Sequence, residues 1–189
     1  MSDTAKYVVI VEGAILRDDR YLLIVRGTEE SYAPGRLALV GGKVEASDHT
    51  GDVFENALIR EIREEVGLQV TKTAYVQSEH FMADQDSAVD TIFLCLCDPG
   101  EPRIAGPGEV AGTLWLTAAE IARHPDVPDY LKANIERAEQ TRVRLGWVRS
   151  KLGAKGWYTG EKGGRAGKSA WTMGRFRTSN NNYRRGSRG

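Results

Sequence analysis

Residues 41–68 read GGKVEASDHTGDVFENALIREIREEVGL, and the fold turns on this stretch. Placed on a helix from Val53 to Val66 at about 100° per residue, Leu58, Ile59, Ile62 and Val66 form one apolar arc. Glu61, Glu64 and Glu65 share a neighbouring arc, because spacings of three and four bring side chains together. The same helix therefore anchors itself in a core and presents three carboxylates at once. Asp52 is the expected N-cap, with Glu55 completing a capping-box pattern, and Gly67 is the expected stop. Crowded acids repel one another, and a hard divalent cation such as Mg²⁺, which takes oxygen ligands, reverses that cost. Upstream, Gly41-Gly42 lets backbone approach a metal or phosphate closely, since neither residue carries a Cβ. Alone, such an acidic arc is an ordinary solvated helix face; joined to the glycine pair and the Gly67-Leu68 stop, it reads as a phosphate-cleaving site.

Outward from this stretch, Tyr7–Ile15 and Tyr21–Val25 are β-branched and aromatic, and Arg17–Arg20 separates them, so they read as a hairpin. Leu37–Val40, Val70–Val76, Thr91–Cys97 and Leu114–Leu116 are further strand candidates. Thr117 with Glu120 opens a second helix by capping logic, and Tyr130–Gly146 has helical spacing at Leu131, Ile135 and Ala138. Interleaved strands and helices define an α/β class with helices covering a sheet. Asp84, Asp86 and Asp90 lie around a polar segment that could reach the acidic site but reads first as a solvated loop, and Phe81, Tyr32 and Trp115 read as packing residues before base-stacking ones. Cys95 and Cys97 fall on one strand face as small buried residues rather than a metal or disulfide pair.

The formal net charge of zero hides a split: residues 1–146 hold 15 Lys/Arg and 25 Asp/Glu, and residues 147–189 hold 11 Lys/Arg and one acid. Two regions are expected: a catalytic domain over 1–146 and a disordered, basic, Gly/Arg-rich tail over 147–189. The tail's cations and aromatics, among them Trp157, Trp171 and Tyr183, admit nucleic-acid binding, but a basic extension without a specific partner is favoured. Gly167-Lys168-Ser169 is no phosphate loop, since Lys162 stands where the first glycine belongs. No apolar run approaches the ~20 residues of a membrane span, and a cytoplasmic protein is expected.

The stretch resembles the Nudix box, G-x5-E-x7-R-E-U-x-E-E-x-G-U, where U is aliphatic. From Asp52 onward the spacing matches fully, through Arg60-Glu61-Ile62-Arg63-Glu64-Glu65-Val66-Gly67-Leu68. The resemblance implies an α/β/α sandwich around a mixed sheet over roughly Lys6–Arg144. It also implies Mg²⁺- or Mn²⁺-dependent hydrolysis of a nucleoside diphosphate derivative. Carried over by position, Glu61, Glu64, Glu65 and the Gly41 carbonyl are metal ligands, and Arg60 orients the carboxylates. Gly42 is placed to meet substrate, Arg26 at the end of the second strand is either a phosphate contact or a solvated strand-end arginine, and Glu109 is the candidate general base, with Glu64 its competitor. In this alignment Asp52 replaces the first box glutamate, and four extra residues lie near Ala46–Thr50, with His49 a solvated loop residue. Neither the ADP-ribose proline (Asp84 here) nor the dinucleoside-polyphosphate tyrosine near Gln85 is present, so nucleoside triphosphates and nucleotide sugars stay open as substrates. The alternative is a Nudix-like nucleotide- or RNA-binding module with little turnover.

Overall fold

The structure, a computed structural model, describes residues 5–30, 33–48, 51–83, 86–149 and 157–158. The strands β1 (Val8–Arg17), β2 (Arg20–Arg26), β3 (Leu37–Ala38), β4 (Val40–Lys43), β5 (Val70–Ala83), β6 (Asp86–Cys97) and β7 (Val110–Thr117) join in one mixed sheet. In it β1 runs parallel to β6 and antiparallel to β4, while β2 pairs with β3 and β7. Helix α1 (Val53–Val66) packs against β1 and β4. Helices α2 (Ala118–Arg123) and α3 (Asp129–Arg144) pack together, with α3 lying against β5 and β6. The sheet is sandwiched between helices, as the resemblance implied.

Strand alternation sorts the core into two layers. Val11, Ile15, Leu22, Ile24, Phe93 and Cys95 bury against Ala57, Leu58, Ile62 and Val66 of α1. Their alternates Ala14, Leu16, Tyr21, Leu23, Ile92 and Leu94 bury against Leu131, Ile135 and Ala138 of α3. Cys97 packs on the α1 layer with Cys95, and both are free thiols. At Gly13 a Cβ would come within 3.0 Å of the Ile62 Cδ1, so a glycine here lets α1 sit close to β1. Trp147, the first residue of the segment read as a tail, is buried in the α3 layer with Lys72 stacked 5.0 Å from its ring. Beyond it, β8 (Val148–Arg149) pairs with β9 (Trp157–Tyr158), and the remainder of that segment lies outside the described residues.

Two helix boundaries follow the local code. Gly67 adopts φ 66° as the left-handed C-cap of α1, its N–H bonded to the Arg63 carbonyl. Thr117 and Glu120 make a full reciprocal capping box on α2. One expectation needs correction. Asp52 precedes α1 but makes no side-chain cap bond. A second correction concerns Asp86 and Asp90, which lie in β6 because the β5–β6 hairpin runs on from Val70↔Cys97 to Ala83↔Asp86. A polar strand end extending past its covering helix has no apolar alternation to reveal it.

Ile62 is fully buried between α1 and the sheet. Ile62→Ala is expected to lower unfolding free energy by about 2–5 kcal/mol, measured by urea titration; a loss under about 1 kcal/mol would mean that α1 is not anchored through this face.

Candidate active site

The site forms where the first residue pair of the quoted stretch meets the last turns of α1. In the β1–β4 pairing Val11 faces Gly42 and Glu12 faces Gly41. A Cβ on Gly42 would lie 2.5 Å from the Glu61 carboxyl, and one on Gly41 would lie 2.0 Å from the Val11 carbonyl oxygen. Gly41 is thus required by contact with backbone, and the space beside Gly42 is the room in which the Glu61 carboxylate stands. The Gly41 N–H donates to the Glu65 carboxylate, tying the end of α1 to the bend.

Arg60 is the hub. Its Nε and Nη2 donate to the two Asp48 oxygens at 3.1 Å each. Its Nη1 donates to Glu61 at 2.8 Å and to Glu64 at 3.2 Å, and Nη2 also reaches the Lys43 carbonyl at 3.0 Å. Asp48 closes the short 3₁₀ turn Ala46–Asp48 by accepting from the Glu45 N–H at 2.8 Å. The acid ahead of α1 that meets Arg60 is therefore Asp48, buried on its 3₁₀ turn, while Asp52 is exposed. The signal was available in the sequence. Counted forward from Gly42, Asp48 follows five residues, the interval the box has between its glycine and its first acid, so the four extra residues fall after Asp48.

Glu65 is 5% exposed, and its Oε2 has no hydrogen-bond partner. Burial, reinforced by Glu61 and then Glu109, pushes its carboxyl up to about 8 against the opposing pull of the Gly41 N–H and Arg26. Burial likewise raises Glu61, while Arg60 pulls it down. One further acid, Glu12, has no signal in the sequence, and a second, Asp90, is among the polar-segment acids that could reach the site. Glu12, beside Gly41, is held well above the usual carboxylate range by burial and by Asp90, and it also feels Glu65. Asp90 is pushed up to about 7 by burial and by Glu79, and its Oδ1 is also unpartnered.

Of the residues singled out from sequence, Gly41, Gly42, Arg60, Glu61 and Glu65 come together. Glu64 joins them through Arg60 but is half exposed. Glu109 arrives from the turn before β7, which is locked to the end of β2: Gly27 N–H donates to the Glu109 carbonyl at 2.6 Å. A Cβ on Gly27 would lie 1.9 Å from the Gly108 carbonyl oxygen, so that docking depends on a glycine. Arg26 pairs with Glu30 and lies within electrostatic reach of Glu12 and Glu65. Trp115 packs on the core and carries the Arg17 guanidinium 4.7 Å from its ring centroid, and Phe81 is half-buried on β5. Tyr32, His49, Asp84 and Gln85 lie outside the described residues.

Among the described residues no three acid, histidine or cysteine side chains stand as a finished metal cage. The donor set still fits a hard divalent cation: the buried Glu65 Oε2 has no partner, and the Glu61 carboxylate beside Gly42 has only an Arg60 guanidinium that it shares with Asp48 and Glu64, so oxygen ligands outnumber the positive charge beside them.

The NUDIX domain family pattern matches residues 7–135. A NAD-capped RNA hydrolase, NudC, of Mycobacterium tuberculosis is 32% identical over 119 residues, 63% of this chain but 34% of the relative, so the chain spans about a third of that protein's length. A MutT Nudix hydrolase from Burkholderia pseudomallei superposes with TM-score 0.56 at 28% identity, covering 71% of this chain and 98% of its own. A MutT protein from Methanosarcina mazei superposes at 0.63 with 19% identity, covering 75% and 99% respectively, and shares the fold. The sandwich and its acidic helix define a pyrophosphohydrolase class of enzyme. The chain belongs to the Nudix hydrolase family, whose members generally use divalent metals.

Breaking the buried Asp48–Arg60 pair with Asp48→Ala is expected to cost about 3 kcal/mol of stability, whereas Asp52→Ala stays within about 0.5 kcal/mol. Equal losses in urea melts would contradict the assignment of Asp48 as the partner. The raised Glu65 carboxyl also sets a pH dependence. Folded protein holds this proton up to about 8, while the unfolded chain releases it near the ordinary 4.5. The folded state therefore binds more protons between those values, and metal-free stability falls as pH rises through that window. Glu65→Gln is expected to flatten this slope in melts from pH 5 to 9; an unchanged slope would place the proton elsewhere.

Proposed function

We propose that this chain hydrolyses a phosphoanhydride bond in a nucleoside diphosphate derivative, a nucleoside triphosphate or a nucleotide sugar, with Mg²⁺ or Mn²⁺ at the α1 site. The observation that carries this reading is the buried, unpartnered Glu65 oxygen set beside Glu61 at the glycine bend. Burying charge-bearing groups without partners is costly in an ordinary fold and is accounted for by a cation that completes them. Glu61, Glu64, Glu65 and the Gly41 carbonyl are the proposed ligands. When bound, the ion neutralises charge on the phosphate oxygens and activates water.

The chain's own residues do the rest. Arg60 fixes the directions of Glu61 and Glu64, so little reorganisation remains when substrate arrives. Arg26, at the end of β2 and within reach of the acids, is proposed to meet a phosphate, and Gly42 to let substrate approach the backbone. Glu109 is exposed at the turn beside Gly27 and is proposed to take the proton from the attacking water; Glu64, also exposed, is the competitor. The similarity to a NAD-capped RNA hydrolase adds dinucleotide pyrophosphates to the substrates worth testing.

Product release from nucleoside triphosphates, nucleotide sugars and NAD, followed by chromatography with Mg²⁺ or Mn²⁺, tests the reading. Glu65→Gln is expected to cut kcat by about 10²-fold or more, and whichever of Glu109→Gln and Glu64→Gln falls by a similar factor identifies the base. Turnover untouched by all three substitutions would refute the site. Tight nucleotide binding without any cleavage would leave the chain a binding module.

A further inference from the structure

The turn that carries Glu109 is tied to the same helix as the acids. Helix α1 ends in carbonyls that its own turns leave unsatisfied, and the segment ahead of β7 takes two of them. The Arg103 N–H donates to the Val66 carbonyl at 2.9 Å, and the Ala105 N–H donates to the Glu65 carbonyl at 3.0 Å. Past Ala105 the chain turns at once: the Glu109 and Val110 N–H groups both donate to the Gly106 carbonyl, at 3.0 and 2.9 Å, before the Glu109 carbonyl docks on Gly27. Arg17 holds the start of the segment by donating to the Gly100 carbonyl at 2.5 Å, and Pro99, Pro102 and Pro107 restrict its backbone. The Glu109 backbone is thereby held relative to α1 as well as to the sheet.

At Gly106 this strap leaves a space. A Cβ there would lie 2.9 Å from the Glu109 Oε2, while the next nearest atoms, the Glu109 Cδ and the Glu64 carbonyl oxygen, stand at an ordinary 3.7 Å. The Glu109 carboxylate is thus folded back over Gly106, beside the last turn of α1, and both Glu61 and Glu65 feel its charge. The backbone gives no reason for a glycine, since Gly106 is not among the residues with positive φ. Alanine fits such a backbone and restricts the unfolded chain, which favours folding. An added methyl group meets the far end of a flexible side chain here, whereas at Gly27 and Gly41 it meets backbone. What it disturbs at position 106 is the place of one carboxylate.

We propose that Gly106 is a positioning residue for the hydrolysis: the space left by its missing side chain is the seat that holds the Glu109 carboxylate against the end of α1, facing the acids of that helix. The inference rests on the hydrolytic reading with Glu109 as the base. Because the strap hangs on the Glu65 and Val66 carbonyls, the base and the acids keep one spacing as a unit. A displacement of about 1 Å in such an arrangement is enough to cost about 10²-fold in rate.

The test is a double-mutant cycle on the full chain with Mg²⁺, comparing wild type, Gly106→Ala, Glu109→Gln and the double variant. The substrate is whichever nucleoside triphosphate, nucleotide sugar or NAD the wild type turns over fastest. Gly106→Ala is expected to lower kcat about tenfold or more, with KM within about twofold of wild type and a Tm no lower. In the Glu109→Gln background the same change is expected to move kcat less than about twofold, because the group it displaces has already lost its function. An equal fold-loss in both backgrounds would overturn the proposal, since Gly106 would then act on the fold and not through Glu109. Wild-type kcat in Gly106→Ala, or in Glu109→Gln, would also overturn it and leave hydrolysis itself standing. Independently of turnover, a crystal structure of Gly106→Ala is expected to show the Glu109 carboxylate moved off the end of α1 over an unchanged backbone; an unmoved carboxylate would overturn the seat. Absence of any cleavage by the wild type would refute the hydrolytic reading and the proposal with it.

Discussion

A single guanidinium organises the acidic face of α1 and the chain around it. Arg60 spends its donors on Asp48, Glu61, Glu64 and the Lys43 carbonyl. A planar fork of fixed donors does this where a lysine would not, because it addresses several acceptors in set directions at once. Three pieces of chain are joined in consequence: the end of β4, the short turn that carries Asp48, and the outward face of α1. Without that cation, the acids on α1 would repel one another and the loop ahead of the helix would lose its anchor. The clamp in turn presupposes that α1 sits in one register on the sheet. Ile62 and Val66 settle that register by burial, and Gly13 by leaving α1 its room.

Arg60 does not serve every acid, and the residue it leaves out is informative. Glu65 points inward, toward the glycine bend, where it has one backbone donor and an oxygen with none. Its raised carboxyl, beside a raised Glu61, means that this buried acidic pair favours the protonated form in the metal-free fold. Glu12 and Asp90 extend the same condition along β1 and β6. Apolar packing in the two layers must offset the desolvation of these groups, so the site is maintained at the expense of stability in its metal-free form.

Most local signals in the sequence hold where the physics is local; the exception is the Asp52–Glu55 cap pattern, since Asp52 makes no side-chain cap bond. The apolar arc of α1, the left-handed stop at Gly67 and the Thr117–Glu120 box depend on neighbours within four residues, and the structure shows each one. Signals that depend on distant chain were not legible. Asp90 looks like a loop acid because its burial needs β1, which pairs with it from Ile10 at the other end of the domain, as well as the hairpin partner β5. The lock between Gly27 and the Glu109 turn joins segments some eighty residues apart, and nothing in either segment announces it. Counting back from Arg60 makes Asp52 the first acid of the box and counting forward from Gly42 makes it Asp48; the Asp48–Arg60 contact decides between the two counts.

The position of those four extra residues explains why they are tolerated. From Gly42 to Asp48 the box interval is intact, and from Arg60 to Leu68 it is intact again. Both anchors of the clamp therefore keep their own local geometry, one on the 3₁₀ turn and one on the helix. The added chain lies between them and only lengthens a loop whose ends Asp48 and Arg60 hold together. Closing a slightly longer loop costs a small fraction of a kcal/mol by chain entropy, on the order of RT times the logarithm of the length ratio. The same four residues placed inside α1 would rotate the carboxylates by about 400°, or some 40° past a full turn, and move them a helical turn along the axis. An insertion is thus admissible at this point of the box for a physical reason: the Asp48–Arg60 pair makes the intervening chain irrelevant to where Glu61 and Glu65 stand.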